Sequence, residues 1–562
     1  MVGRQVARLM AASGTDQVRI VALGGLGEIG LNLMVIECGT RAIVIDAGVM
    51  FSEERALGVG LLLPDLRYIT QRKLAVEAVF LTHAHEDHLG ALSHFLRKFP
   101  VPVYGTAVTL AFARRTLAED GPKDSDLRRM TPGQDIAAGP FTIEAVRVTH
   151  STPDSVALAI RTPAGLIVHS GDFKIDPAPV DGVRFDTERF AQLGAEGVEL
   201  LLSDSTNVER NGRCGSESSL KPLLHEIITR TRGKFVLSSF SSHLHRIRQV
   251  AEVAHEAGRY VVPLGRRMAE SVRLGMEAGQ LNLPNGTFID SREADFLEPR
   301  KLAYIATGSQ GEPLSALTKL AMDSHPAVKL GDGDLVVLSS RFIPGNERPI
   351  QSMVNHLFKR GAEVLYDGIA PVHVSGHACR DELIELIRLV KPRHFVPIHG
   401  EYRHLVRHVA LAIEAGVTER NCFVLEDGDP LILGGGKVQR ARAVHVGRLI
   451  EDGDELGSVG LIRERRALAH DGTIVAILAI SAETGRIVAG PDLISRGVVE
   501  GDGSSPHLAR ARAEVKGRLQ SLTAHAHGDH ERLRDEMTRA LRHYFSATIG
   551  KRPLIVPHVM EV

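Results

Sequence analysis

Cysteine is scarce in this chain, and so are net charge and long apolar runs. Only four cysteines, Cys38, Cys214, Cys379 and Cys422, occur in 562 residues. They are widely spaced and include no CxxC pair, which argues against a disulfide framework and against a thiolate zinc site. The formal net charge is −1. No whole-protein basic field therefore draws in nucleic acid, and any site for it must be a local basic channel. The longest apolar stretches, such as Ile474–Ile480, are far too short to span a bilayer, so no membrane partner is expected. Arg4 and Arg8 sit among apolar residues at the start, but no continuous signal-peptide core accompanies them. Low-complexity tracts are missing as well. What is left is the composition of a cytoplasmic enzyme, long enough for roughly two to four domains with large cores.

Against that background one segment stands out, His83-Ala84-His85-Glu86-Asp87-His88. Four metal-ligand side chains fall within it, directly after Ala78–Thr82, an apolar run that reads as a buried strand. In a loop leaving a strand, side chains two apart point the same way, so His83 and His85 can share one metal. Asp87 and His88 lie beyond the turn and can hold a second. Imidazoles with a carboxylate suit Zn²⁺. Three more candidates sit at strand ends, where loops gather into sites. His150 ends the alternating run Phe141–Thr149, Asp172 follows Leu166–Gly171, and His399 ends Phe395–Ile398.

Two further motifs are set aside. Gly25-Leu26-Gly27-Glu28-Ile29-Gly30 matches the dinucleotide fingerprint, with Asp46 downstream as a possible ribose-binding acid. That site needs a helix after the third glycine. The residues that follow, Leu33–Gly39 and Ala42–Asp46, read instead as a β-hairpin, so a tight turn beneath the metal site is expected. His525-Ala526-His527-Gly528-Asp529-His530 repeats the first motif's spacing, but helices (Leu508–Lys516 and Leu533–Tyr544) flank it and no strand precedes it. It reads as a helix–helix connection.

The ligand candidates fall in two blocks, His83–Asp172 and His377–His399, so a single site requires an insertion between them. The intervening residues have their own α/β rhythm. Helices are predicted at Ser219–Arg230 and Arg246–Ala257, and strands at Lys234–Ser238, Tyr260–Val262, Leu302–Ala306 and Leu335–Leu338. That rhythm suits a covered parallel sheet.

His83, His85, Asp87, His88, His150 and Asp172 together resemble the ligand set of the metallo-β-lactamase superfamily. Asp204 in Leu201–Asn207, His377 in His373-Val374-Ser375-Gly376-His377, and His399 in Pro397–Glu401 resemble motifs A, B and C of its β-CASP branch. Within that branch the chain is similar to the bacterial ribonuclease J family from about Val18 onward. Supporting segments are Gly24–Asn32, Thr307–Pro313 and Ile343–Glu347. The resemblance implies an α/β fold: a metallo-β-lactamase αββα sandwich with an inserted β-CASP α/β domain and a small C-terminal α+β domain. The implied boundaries are 1–210 and 366–445 for the sandwich, 211–365 for the insert, 446–461 for a linker and 462–562 for the last domain.

The same resemblance implies about two Zn²⁺ per chain, with Mn²⁺ or Mg²⁺ as alternatives. His83, His85 and His150 would hold one ion, Asp87, His88 and His399 the other, and Asp172 would bridge them. The implied activity is phosphodiester hydrolysis in rRNA processing and mRNA decay. The substrate is single-stranded RNA, degraded 5′→3′ with preference for a 5′-monophosphate and with some endonucleolytic cutting. Catalysis would fall to Asp87 through its ion, to His377 as acid or phosphate donor, and to Asp204 as the residue orienting a ligand imidazole. RNA would be held by His373, Ser375, Gly376 and His377, by Ser309, Gln310 and Gly311, and by Arg266. Arg246, Ser339 and Ser340 could assist. The C-terminal domain would support a homodimer or homotetramer. His243 departs from the family's common Asn, and Arg267 from its small Ser. Rival readings are a β-CASP endonuclease or DNA nuclease, a small-molecule hydrolase, and an inactive RNA-binding assembly subunit.

Overall fold

Apolar runs rich in Val, Ile and Leu become buried strands, and those strands form two sheets facing one another. The computed structural model describes residues 17–52, 60–343, 345–452, 455–457, 459–500, 505–522 and 529–562. Most of the first sheet orders Leu431–Gly434, Val18–Gly24, Leu33–Cys38, Arg41–Ile45, Ala75–Phe80 and Val103–Gly105. The second orders Asp135–Ala138, Phe141–Arg147, Val156–Thr162, Gly165–His169, Val198–Asp204 and His394–Ile398. Their inner faces meet in one apolar layer containing Ile36, Ile43 and Phe80 from the first sheet and Ile143, Leu158 and Leu200 from the second. Helices such as Leu92–Lys98 and Ala107–Asp120 cover the outside of the first sheet. Thr187–Glu196 and Arg380–Val390 cover the second. With both faces covered, the central strands have no polar side to present, hence their continuous apolar sequences.

Sheet direction positions the site. Arg41–Ile45 pairs in parallel with Ala75–Phe80, placing Ile45 opposite Phe80, so the chain leaves both strands at the same edge with Asp46 beside Leu81 and Thr82. Gly165–His169, Val198–Asp204 and His394–Ile398 are likewise parallel, with Asp204 opposite Ile398. Asp172, Asp204 and His399 thus emerge from three neighbouring strand ends.

The inserted segment forms a five-stranded parallel sheet in the order Tyr260–Leu264, Leu302–Ala306, Phe235–Ser238, Leu335–Leu338, Glu363–Tyr366. Two expected helices shift at their starts. Glu217–Leu220 is a 3-10 turn before the helix Lys221–Arg230, and the next helix runs Leu244–Glu256, capped by His243 rather than starting at Arg246. No helix follows Gly30. Leu33–Cys38 and Arg41–Ile45 form the antiparallel hairpin instead.

A second compact unit takes in Leu61 and Arg448–Val562. The stretch expected to be a linker contains the paired strands Arg448–Asp452 and Glu455–Gly457, and the helix Val459–Asp471 starts within it. Thr473–Ile480 is the centre of a three-stranded sheet with Ile487–Arg496 and Leu554–Glu561. Its alternate residues Ile474, Ala476, Leu478 and Ile480 are buried with the helices Pro506–Gln520 and His530–Ile549, the period-2 pattern of a one-sided sheet. His525 and His527 of the repeated motif lie outside the described residues. Asp529 caps the second helix by accepting from the Arg532 amide at 3.1 Å, and His530 Nε2 lies 2.9 Å from Glu561. Among the described residues, no helix is long and apolar enough to cross a membrane.

Candidate metal centre

The motif His83–His88 leaves the strand Ala75–Phe80 as a two-residue extension and a loop, then turns into the short helix Glu86–Leu89. That helix, not a continued loop, presents Asp87 and His88. Its backbone is gripped from beneath: Asn32 N and Nδ2 donate to Asp87 O at 3.1 and 3.0 Å, and Ala47 N donates to His88 O at 2.7 Å. The glycine-rich turn Gly24–Asn32 thus lies under the site. His399 N donates to Gly25 O at 3.0 Å. His399 and Asp46 both hold left-handed backbone, at φ 50° and 60°, a conformation non-glycine residues keep only where surrounding contacts enforce it.

Three imidazoles converge on one point. His83 Nε2 and His150 Nε2 each lie 3.1 Å from His85 Nδ1. The surrounding hydrogen bonds assign the protons of two of them. His150 Nδ1 donates to Gly376 O at 2.7 Å. Thr82 Oγ1 gives its own proton to Asp46 Oδ2 at 2.9 Å, so at 3.0 Å it accepts from His83 Nδ1. His85 Nε2 faces Ser151 Oγ at 3.0 Å. His150 and His83 therefore turn a bare Nε2 lone pair inward, towards His85 Nδ1. Ligand atoms about 2.0–2.1 Å from a tetrahedral Zn²⁺ stand roughly 3.4 Å apart, close to these spacings. Burial holds His83 and His150 well below the ordinary imidazole pKa and pushes His85 down to about 4. All three are kept neutral, the form that binds metal.

The adjoining group is richer in carboxylates. His88 Nε2 lies 3.2 Å from Asp172 Oδ2 and 3.7 Å from Asp87 Oδ2, and His399 Nε2 lies 3.3 Å from Asp87 Oδ2. Asp172 Oδ2 is also 3.6 Å from His83 Nε2, so one carboxylate touches both groups. Burial opposes charge on His88 and His399. The facing carboxylates, Asp172 foremost, outweigh it and raise both, His399 to about 10. Negative charge of this density suits a dication. The donor atoms of His83, His85, His150 and Asp172, and those of Asp87, His88, Asp172 and His399, each lie within 4.8 Å of one another. Both sets fit a borderline-soft ion such as Zn²⁺.

Beside them, His377 Nδ1 lies 2.8 Å from Asp204 Oδ2, while Asp204 Oδ1 is 3.5 Å from His399 Nδ1. Asp204 is thus closer to the expected acid than to the expected ligand. Burial opposes the His377 proton, but the Asp204 carboxylate prevails and raises its pKa above the ordinary value. Thr206 fixes Asp204 Oδ1 through its amide at 2.9 Å and hydroxyl at 2.7 Å.

The expected RNA contacts divide. Ser375 Oγ accepts from Asn207 Nδ2 at 2.8 Å and from the His377 amide at 3.2 Å, so it braces the loop. Gly376 passes against His150, where a Cβ would lie 2.8 Å from the ring. His373 keeps a buried Nδ1 with no partner. Ser309 is buried. Gln310 is spent on Ser340, on Arg341 O at 2.7 Å and on the Ile343 amide at 2.9 Å, with Gly311 in the same turn. Arg266 is 72% exposed and pairs with Glu119 at 3.0 Å. Arg246 corrects the expectation. It is fully buried, bound to Glu217 at 2.6 and 2.9 Å, to Ser339 and to Val372 O, so its guanidinium has no face left for phosphate. His243 accepts from the Arg246 amide at 3.2 Å, and Arg267 extends to within 4.0 Å of Glu86.

Asp46 is the residue sequence reasoning missed. Considered only as a ribose-binding acid, it instead accepts from His88 Nδ1 at 2.7 Å and from the Thr82 amide at 2.8 Å. It orients two ligand imidazoles from behind. Its position at the end of the strand neighbouring the motif was the available signal.

Four family models match in succession. They are the metallo-beta-lactamase superfamily over residues 27–195, the ribonuclease J beta-CASP domain over 232–357, the Zn-dependent metallo-hydrolase RNA specificity domain over 361–425, and the ribonuclease J C-terminal domain over 460–562. Ribonuclease J of Mycobacterium tuberculosis is 38% identical over 97% of this chain and 97% of its own length. Ribonuclease J of Helicobacter pylori is 36% identical over 96% of the chain and 79% of its length, and ribonuclease J2 of Bacillus subtilis 34% over 98% and 100%. A solved Enterococcus faecalis protein of unknown function shares the fold over 74% of this chain, with a TM-score of 0.51 and 17% identity. With relatives this similar along nearly its whole length, and a metal-ligand cluster at the edge of its β-sandwich, the chain belongs to the ribonuclease J family.

Proposed function

We propose that the protein is a cytoplasmic, zinc-dependent ribonuclease that degrades and processes RNA. The observation carrying this reading is the pair of ligand groups joined through Asp172, with the His377–Asp204 pair alongside. In this reading His83, His85 and His150 hold one Zn²⁺, Asp87, His88 and His399 a second, and Asp172 serves both. When bound, the two ions would supply Lewis acidity and water of lowered pKa for phosphodiester hydrolysis. The chain's own groups do the rest. Asp46 and Gly376 O fix His88 and His150 in the tautomers that leave Nε2 free. Asp204 holds the proton of His377 at Nδ1, leaving Nε2 to protonate the leaving 3′-oxygen.

The finer reading is 5′→3′ exonucleolytic action on single-stranded RNA with a 5′-monophosphate, accompanied by some internal cutting. The unpartnered Nδ1 of His373 supports a phosphate site next to motif B. A triphosphate would bring charge that so few donors cannot compensate. The domain division is proposed as 1–210 with 366–445, 211–365 and 462–562. A homodimer or homotetramer is proposed through the last of these, where Ile494 and Val556, on the two strands either side of Val475, are 45% and 44% exposed.

The test pairs metal analysis with one RNA bearing 5′-monophosphate, 5′-triphosphate or 5′-hydroxyl ends, alongside its DNA equivalent. About two Zn²⁺ per chain and fastest mononucleotide release from the monophosphate form are expected, both lost in Asp172→Ala. A single ion with full activity in Asp172→Ala rejects the two-metal reading. Equal rates for all ends with only internal cuts indicate an endonuclease, and faster DNA cleavage a DNA nuclease.

A further inference from the structure

Two of the four cysteines, far apart in sequence, meet beside the candidate acid. Glu382 Oε2 accepts from the backbone amides of both, Cys214 at 2.6 Å and Cys379 at 3.0 Å. The buried Glu382 is held in turn by the Ile175 amide, 2.9 Å from its other oxygen. Both backbones are thus held against one carboxylate oxygen, which brings the two thiols into the same neighbourhood. Cys379 is buried, whereas Cys214 is partly exposed, so a small oxidant can reach the pair from one side. The Cys214 thiol also donates to Ser375 O at 3.0 Å, and the Cys379 sulfur caps the helix Arg380–Val390 by accepting from the Glu382 amide.

We propose that Cys214 and Cys379 form a reversible disulfide that turns the neighbouring site off under oxidising conditions. With hydrogen peroxide as oxidant, one of the two sulfurs attacks a peroxide oxygen and the O–O bond breaks, giving a sulfenic acid and water. The second sulfur then attacks the first, the S–O bond breaks, and the hydroxyl leaves as water with the second thiol's proton. The two thiols lose two electrons and the peroxide gains them. An external dithiol reverses the bond by exchange.

The consequence follows from what the pair supports. A disulfide fixes the two sulfurs about 2.05 Å apart, far inside any non-bonded sulfur contact. Closing to that distance pulls Cys214 off Ser375 O and Cys379 off its helix cap. Ser375 is tied to the His377 amide and to Asn207, and the next residue's carbonyl, Gly376 O, orients His150 at 2.7 Å. A displacement there reaches a candidate metal ligand and the candidate acid together.

The activity half of this inference rests on the ribonuclease reading; the bridge itself does not. The full-length, zinc-loaded protein is treated with hydrogen peroxide, mapped by mass spectrometry under non-reducing conditions, and assayed on RNA before and after dithiothreitol. The expected result is a Cys214–Cys379 cross-linked peptide, with activity lowered about tenfold or more and restored by the dithiol. Cys214→Ser and Cys379→Ser keep a hydroxyl at the same hydrogen bonds, and serine is itself a favoured helix cap. Both should match the parent when reduced and resist the peroxide. Absence of the cross-linked peptide, a bridge without loss of activity, or equal sensitivity in the serine variants overturns the proposal. A reduced parent inactive on RNA would refute the ribonuclease reading, while the peptide map still decides the bridge.

Discussion

Gly48 carries no ligand, yet alanine there should cost the protein a metal ion. A Cβ built at Gly48 would sit 1.7 Å from Asp87 O, 2.2 Å from Asp87 C and 2.8 Å from His88 N. To reach even 3.0 Å, the backbone of Asp87 must retreat by about 1.3 Å. Asp87 O is the acceptor for Asn32 N and Nδ2, so the same movement strains two hydrogen bonds. Those bonds contribute about 1 kcal/mol each, and overpacking adds about 1–3 kcal/mol, so a loss of roughly 3–5 kcal/mol of stability is expected. Function should suffer more than the fold. A misplacement near 1 Å at a catalytic group costs about 100-fold in rate, and here it falls on Asp87 and His88 together. Zinc analysis of Gly48→Ala should show the ion assigned to Asp87, His88 and His399 depleted and the His83–His85–His150 ion retained. Far-UV circular dichroism should remain native. Gly331→Ala, where a Cβ meets nothing within 4 Å, is the control. Full metal content with undiminished hydrolysis in Gly48→Ala would refute the close approach on which the reasoning depends.

Three other outcomes are expected. Arg246→Met strands the buried Glu217 carboxylate and should cost about 3–5 kcal/mol in urea unfolding while zinc content stays unchanged; unaltered stability together with weakened RNA binding would return Arg246 to a phosphate-binding role. Burial holds His408 and His373 neutral, each with its pKa pushed down to about 3, whereas the unfolded chain protonates them below about pH 6.5. The folded state therefore binds fewer protons between these values, so the contribution is complete above pH 6.5 and lost as pH falls toward 3, by about 1.4 kcal/mol per pH unit for each group; unfolding free energies that stay flat between pH 7 and pH 5 would contradict it. Removing Arg448–Val562 should leave zinc stoichiometry intact and reduce the oligomer in sedimentation, and an unchanged oligomer would place assembly elsewhere.

Much of the fold was legible because local pattern and global burial agree. Strands covered on both faces, such as Leu302–Ala306 and Leu335–Leu338, read as unbroken apolar runs, and the one-sided strand Thr473–Ile480 shows alternating burial. The histidines and aspartates beyond strand ends were visible for the same reason: an apolar run that stops at a polar residue marks the edge where loops meet. The boundaries that shifted, at Glu217–Leu220, Leu244 and Val459, depend on how a chain end packs, which periodicity does not carry.

That His83, His85, Asp87 and His88 share a turn could be read directly from their spacing, which is local. So could the need to bring a second block of ligands back across an insert. Which partner each polar group takes emerged with the folded chain. Asp46 turned out to brace His88, Arg246 to neutralise Glu217, and Cys214 to share the Glu382 carboxylate with Cys379 across 165 residues of chain. Hydrogen bonds and ion pairs act over a few ångströms between side chains that strand order and crossover connections bring together. No local pattern of residues encodes that order, so these pairings exist only once the sheets have closed.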